Sequence, residues 1–264
     1  MLTDVIKALF YSCSSYPKVA VPHRLSPSDD FEACVLSSIT SAIGIYNDVL
    51  RIVIEFKRGE RDIRKLEVGK NIGKSLLLCL QELKHKMSVE ICIVAPILIY
   101  IDTIQSEIER DFHKAFRRLF NALQVQDVED SREFIKVARN IGGSLHLLID
   151  KSNISEHRIL VEELHLYDIF EELSNHDPTF ECISNAQKIL DVIRLAEKLY
   201  NEFKDFNTTL SRLFLELIKN KVEITSNKLL DILKIDVNYR RKGVNLSYLL
   251  PCLGYAALYL VKLT

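Results

Sequence analysis

The sequence of 264 residues predicts an all-α fold, and three observations lead there. Glycine (8) and proline (6) are scarce for so long a chain, so few positions can punctuate a helix. Apolar residues recur at three- and four-residue spacing along most of the chain, the period of a helix with one buried face. Hydrophobic residues reach 48% and charged residues 27%, at a net charge of −1, enough core material for one large globular domain spanning 1–264. The near-neutral balance gives no basic footprint for a nucleic-acid partner.

A first helix is expected over 2–14, with Leu2, Val5, Ile6, Leu9 and Phe10 inward. Ser14-Ser15-Tyr16-Pro17-Lys18-Val19-Ala20-Val21-Pro22-His23-Arg24 follows. Its two prolines lock φ and bias the residues before them away from the helical region, so an extended loop is expected. The loop carries Lys18, His23 and Arg24, which makes it a candidate anion site. Ser28 or Asp29 can cap a second helix over 30–56, where Gly44 permits close helix packing. A third helix is expected over 63–85, after the charged turn Lys57–Asp62, and it contains Val68-Gly69-Lys70-Asn71-Ile72.

Residues 87–104 centre on the all-apolar run Ile91–Ile99. That run is shorter than the about 20 residues a bilayer requires, so a buried core helix is expected. Further helices are expected over 107–123, 127–139, 156–174, 179–204, 207–220, 226–233 and 246–263, giving nine to eleven in all. Pro251 and Gly254 in the apolar last helix favour a buried or partner-facing element over a membrane anchor. Cys13, Cys34, Cys79, Cys92, Cys182 and Cys252 form no C-x-x-C pair and mostly sit in apolar runs. They read as buried free thiols in a reducing cytosol, and the amino terminus lacks the pattern of a signal peptide. A cytoplasmic chain is therefore expected, as a monomer or a homo-oligomer.

Several short motifs stand in a suggestive order. Pro17, Lys18, His23 and Arg24 are followed by Asp30 and Ser37, then Val68–Ile72, then Val94-Ala95-Pro96-Ile97-Leu98. Asn140-Ile141-Gly142-Gly143-Ser144, Tyr167-Asp168-Ile169-Phe170 and Ile235-Asp236-Val237-Asn238-Tyr239-Arg240-Arg241-Lys242-Gly243 complete the series. This layout resembles the triphosphoribosyl-dephospho-CoA synthase family, whose opening signature runs roughly Glu-Val-Ser-Ala-x-Pro-Lys-Pro-Gly-Asn-Val-His/Asp-Arg. Ser12 stands where that pattern has Glu, Val19-Ala20-Val21 where it has Pro-Gly-Asn, and the Asn-Thr-Asn expected near 85–89 is missing.

The resemblance implies transfer of the triphosphoribosyl group of ATP to 3′-dephospho-CoA, with adenine released and magnesium assisting. On that basis Lys18 and Arg24 would hold phosphates, with Arg241 and Lys242 as a second cationic group. Asp30 and Asp168 would bind the metal, Asp168 and His23 would act in catalysis, and His23 would be a donor. The altered motifs imply an alternative, a catalytically inactive relative that binds a nucleotide or an active partner protein. A remote alternative is a di-iron carboxylate bundle, from the Glu-x-x-His spacing of Glu82/His85 and Glu162/His165.

Overall fold

Fourteen α-helices and no strand are found among the residues described, 2–224 and 228–264, in a computed structural model. They are α1 (Leu2–Ser14), α2 (Asp30–Lys57), α3 (Val68–Leu83), α4 (Val89–Ile104), α5 (Phe112–Val125), α6 (Val128–Ile141) and α7 (Gly143–Lys151). Then follow α8 (Glu156–Glu162), α9 (Leu166–Ser174), α10 (Pro178–Ser184), α11 (Ala186–Phe203), α12 (Phe206–Ile218), α13 (Leu229–Arg241) and α14 (Leu250–Leu263). The all-α expectation holds, and the expected count of nine to eleven is too low.

Three local events account for the difference. The single helix expected over 156–174 breaks because Glu163 takes φ 52°, ending α8, and the backbone N–H of His165 donates to the Asp168 carboxylate to start α9. The helix expected over 179–204 breaks at Asn185, whose side chain accepts from Lys188 N and caps α11. The double glycine ends α6, as expected, and both residues adopt positive φ (76° and 63°). A further helix, α7, then begins at Gly143, where none is expected. The expected start near Ser226 lies outside the described residues, and α13 runs eight residues beyond the expected end at Leu233.

The core is organised on α4. Every residue from Ile91 to Ile104 is buried, as expected for a helix apolar all round. Helices α1, α2, α3, α5 and α14 pack around it. Gly44 of α2 lies against the tip of Leu78 of α3, which a side chain there would displace, and Gly254 lets α14 approach Leu98 of α4. Asp102, buried near the end of α4, pairs with Lys262 of α14, which also reaches Asp4 of α1 at 2.8 Å. Burial raises the Asp102 carboxyl above its ordinary range, even against the opposing effect of Lys262. The last helix is buried from Leu250 to Leu258, so it is a core element rather than an exposed anchor.

The expectation of free thiols is corrected. All six cysteines are paired, Cys13–Cys34 tying α1 to α2, Cys79–Cys92 tying α3 to α4, and Cys182–Cys252 tying α10 to α14. The pairs are 21, 13 and 70 residues apart in sequence, so they are products of helix packing and leave no local spacing signal. The cytoplasmic expectation thereby loses its support from free thiols. Disulfides persist in oxidising compartments and also inside hyperthermophiles.

Two stretches, Asp30–Lys57 and Val89–Glu109, are long and apolar enough to cross a membrane by length and composition. The second is 78% buried in this fold and serves as its core, whereas the first is only 39% buried.

Candidate functional site

The loop between α1 and α2 is held from three sides. Asn207 of α12 pairs with both backbone groups of Tyr16 at 2.9 Å, and Ser211 donates to Pro17 O at 2.7 Å. From α13, Asp236 accepts from Ala20 N at 2.6 Å, and beyond α13 Leu246 N donates to Ala20 O at 2.7 Å. Val19, Ala20 and Val21 face inward and are buried. Ala20 takes φ 52°, in the left-handed region that glycine prefers. This is the position where the family pattern places glycine.

Lys18 is fully buried, which no sequence signal announces. Its Nζ donates to Ser12 O at 2.6 Å and Cys13 O at 3.3 Å, closing the carboxyl end of α1. Burial lowers its amine to about 7, with the Asp30 charge opposing that shift and Arg240 adding to it. A neutral amine has two N–H groups, enough for the two carbonyls. Ser12, standing where the family pattern has Glu, turns its hydroxyl to Leu9 O and supplies Lys18 with no carboxylate. The expectation that Lys18 is a free phosphate ligand is therefore corrected, because it is a structural donor sealed from solvent.

His23 is also fully buried and engaged at both ring nitrogens. Leu25 N donates to its Nδ1 at 3.1 Å, which leaves the proton on Nε2, 3.2 Å from Asp236 Oδ2. With both nitrogens spent, His23 is corrected from a proton donor for substrate to a positioning residue of the loop. Burial of Asp236 would raise its carboxyl, but hydrogen bonds from His23, Ala20 and Arg240 outweigh that and hold it below the ordinary range. Arg240 closes the network. It binds Asp236 at 2.8 Å, Asp30 at 2.5 Å, Val21 O at 2.5 Å and Ser26 at 3.1 Å.

The remaining expected residues lie elsewhere. Arg24 is exposed and sits over the rings of Phe10 and Tyr16, 5.8 Å from each centroid. Arg241 and Lys242 are exposed at the end of α13, with Lys242 stacked 5.6 Å over Tyr239. The helix rotates about 100° per residue, so Arg240 faces the loop and Arg241 faces away. Asp168 accepts from His165 N as the cap of α9. It is thus not among the residues lining the cleft that holds Asp30. Glu162 ends α8 in an ion pair with Arg158, while His165 caps the start of α9 and its Nδ1 meets Gln126 O. Their Glu-x-x-His spacing therefore spans a helix break instead of one helix face, and the side chain of His85 lies outside the described residues.

Beside the network lies a cleft of about 360 Å³. Four distant segments line it: Pro22, Asp29, Asp30 and Ala33; Lys86 to Glu90; Ser144, just after the double glycine; and Asn245 with Ser247, just after Gly243. Among the lining residues Lys86 is the one cation, and it pairs with Asp29 at 2.9 Å. Asp30 is paired with Arg240. Glu90 accepts from the hydroxyl of Ser88 at 2.9 Å and from its own backbone, yet desolvation raises its carboxyl above the ordinary range, with Asp177 adding to the effect. The cleft thus sets two cation-paired carboxylates, Asp29 and Asp30, beside Glu90, whose carboxyl desolvation raises.

Among the described residues no three His, Cys, Asp or Glu side chains are grouped to hold a metal. Asp30 and Asp168 are each committed to other partners, so a resident magnesium cage does not fit. Magnesium carried in on a triphosphate belongs to the substrate.

Asp236, Arg240, Glu90 and Asn245 are absent from the expected site. For Asp236 and Arg240 a signal existed, since they are four residues apart on the face of α13 that also buries Ile232. A larger cleft of about 480 Å³, lined by Arg64, Lys65, Lys70 and Asp127 among others, lies at the start of α3. Its buried acid, Asp130, is spent accepting from Gly69 N and Lys70 N, and burial raises it to about 7. That cleft gathers only the Val68–Ile72 motif.

Comparison with family models, with curated proteins and with solved structures gives no match to this chain.

Proposed function

We propose that the cleft at the start of α2 is a nucleotide site, and that the chain is a divergent triphosphoribosyl-dephospho-CoA synthase-like transferase. The observation that supports this is convergence. Asp30, residues 86–90, Ser144 at the end of the double-glycine motif, and Asn245 and Ser247 beyond the Gly243 motif are distant in sequence and line one cleft. The left-handed Ala20, at the place of a glycine in the family pattern, adds a backbone match that composition could not supply.

In the proposed reaction the bond between ribose C1′ and adenine N9 breaks, and a bond from C1′ to the acceptor hydroxyl oxygen forms. Adenine leaves with its electron pair and takes a proton, for which the carboxyl of Glu90, raised by desolvation, is the donor. The hydroxyl loses its proton to the Asp30 carboxylate, which Arg240 and Ser28 hold at the cleft. ATP enters as its magnesium complex, and its acceptor is a dephospho-CoA-type hydroxyl.

Adenine is expected by mass spectrometry when the protein is mixed with ATP, magnesium and 3′-dephospho-CoA, and not when the acceptor is omitted. Glu90→Gln is expected to lower the rate about 100-fold or more, in line with loss of a general acid. A second reading has one observation in its favour: Lys18, His23 and Arg240 are spent on internal bonds, and Lys86 alone offers positive charge in the cleft. No adenine in either tube, beside a working control enzyme, would select that reading, a non-catalytic relative that binds a nucleotide or a partner protein.

A further inference from the structure

Two of the three disulfides meet on one turn of α2, next to the cleft. Cys34 follows Ala33, a lining residue, and is bonded to Cys13 of α1. Three residues on, the hydroxyl of Ser37 accepts from Ser88 N at 2.9 Å. Ser88 lines the cleft between Lys86 and Glu90. The carbonyl of Ser37 lies 3.8 Å from Cys79 Sγ, and Cys92, the partner of Cys79, stands just beyond Glu90. The Cys13–Cys34 link therefore encloses the cleft segment from Pro22 to Ala33, and Cys79–Cys92 encloses the segment from Lys86 to Glu90.

The same turn carries acceptors that the linked sulfurs cannot use, because a disulfide sulfur has no proton. Cys13 Sγ lies 3.7 Å from Ser38 Oγ, as Cys79 Sγ lies near Ser37 O. Ser38 Oγ donates to Cys34 O at 2.8 Å, which leaves its lone pairs open. A thiol at Cys13 or Cys79 thus finds an acceptor already in place. All four sulfurs are buried, where an unmet donor is costly, so the turn accommodates the reduced state as well as the oxidised one.

We propose that Cys13–Cys34 and Cys79–Cys92 form a redox switch of the cleft; its effect on a nucleotide rests on the function proposed above. The reductant is a small dithiol that attacks as its thiolate. Each S–S bond breaks, the dithiol closes into its own disulfide, and two protein thiols remain, two electrons and two protons having passed to each link. Reduction leaves the two cleft segments joined to α2 by packing and by the Ser37–Ser88 bond. The helices persist and the cleft loosens. By linkage, a ligand that favours the closed cleft also makes the links harder to reduce.

Hydrogen exchange on the full chain, oxidised and reduced with dithiothreitol, tests this. Peptides covering 22–36 and 86–92 are expected to exchange about 10-fold faster or more on reduction, while α11 keeps its rate. Since full reduction also lowers global stability, paired variants separate the links. Cys13→Ala with Cys34→Ala is expected to speed exchange at 22–36, and Cys79→Ala with Cys92→Ala at 86–92. Cys182→Ala with Cys252→Ala is expected to leave both segments at wild-type rates. Unchanged rates at both segments, or equal acceleration by all three pairs, would overturn the switch. ATP is expected to bind the oxidised chain about 10-fold more tightly than the reduced one. Redox-dependent exchange without ATP binding in either state would uphold the switch and remove the nucleotide reading. Equal ATP affinity in both states would overturn the switch and leave that reading intact.

Discussion

Reduction of the three disulfides is expected to lower the melting temperature by at least about 10 °C. On the chain-entropy view, links spanning 13 and 21 residues each stabilise by about 3 kcal/mol, and one spanning 70 residues by about 4 kcal/mol. Even half of that total exceeds most single-residue effects. The three links join α1 to α2, α3 to α4, and α10 to α14. A melt with and without reductant checks the shift. A thiol count on unreduced, denatured protein checks its cause. No reactive thiol is expected, and six would show that the cysteines are free.

Lys18→Ala is expected to destabilise the fold by about 3 kcal/mol or more in a urea titration. The substitution leaves Ser12 O and Cys13 O without a donor inside the core, and it opens a cavity where the side chain had filled space. Lys18→Met, which keeps most of the volume, is expected to cost less. The pH dependence has a definite sign. The folded amine is lowered to about 7 from 10.5, so between those values the unfolded chain binds a proton that the folded chain does not. The burial penalty is fully present below about pH 7, and stability rises as the pH climbs from 7 toward 10.5. Lys18→Met should lack that rise. A Lys18→Ala variant that unfolds at the wild-type urea concentration, yet binds ATP less tightly, would return Lys18 to the role of an exposed phosphate ligand.

Much of the architecture was legible because helical periodicity is local. The limits of α1 and α2, the buried character of α4 and the tight approach at Gly44 all follow from residues close in sequence. The breaks at Glu163 and Asn185 were not legible, since a glutamate in left-handed conformation carries no composition signal and the flanking apolar period continues across it. The disulfides and the burial of Lys18 depend on which helices meet. The candidate site was half legible. Asp30 and Ser144 of the double-glycine motif line the proposed cleft, and Asp236 lies inside the motif at 235–243. The error was to weight Arg241 and Lys242 over Arg240, when the face shared with Ile232 and Asp236 marks the inward residue. Glu90 went unnoticed because an acidic residue in the first turn of a helix reads as an ordinary electrostatic preference.

The most direct test of the nucleotide cleft is photolabelling with 8-azido-ATP, with competition by unlabelled ATP and mapping of the modified peptides. Competed label is expected within residues 22–33, 86–90, 144 or 245–247, the segments that line the cleft at the start of α2. Competed label along Arg64–Lys70 and Asp127–Glu133 instead, at the other large cleft, would contradict the assignment, as would the absence of any competed label.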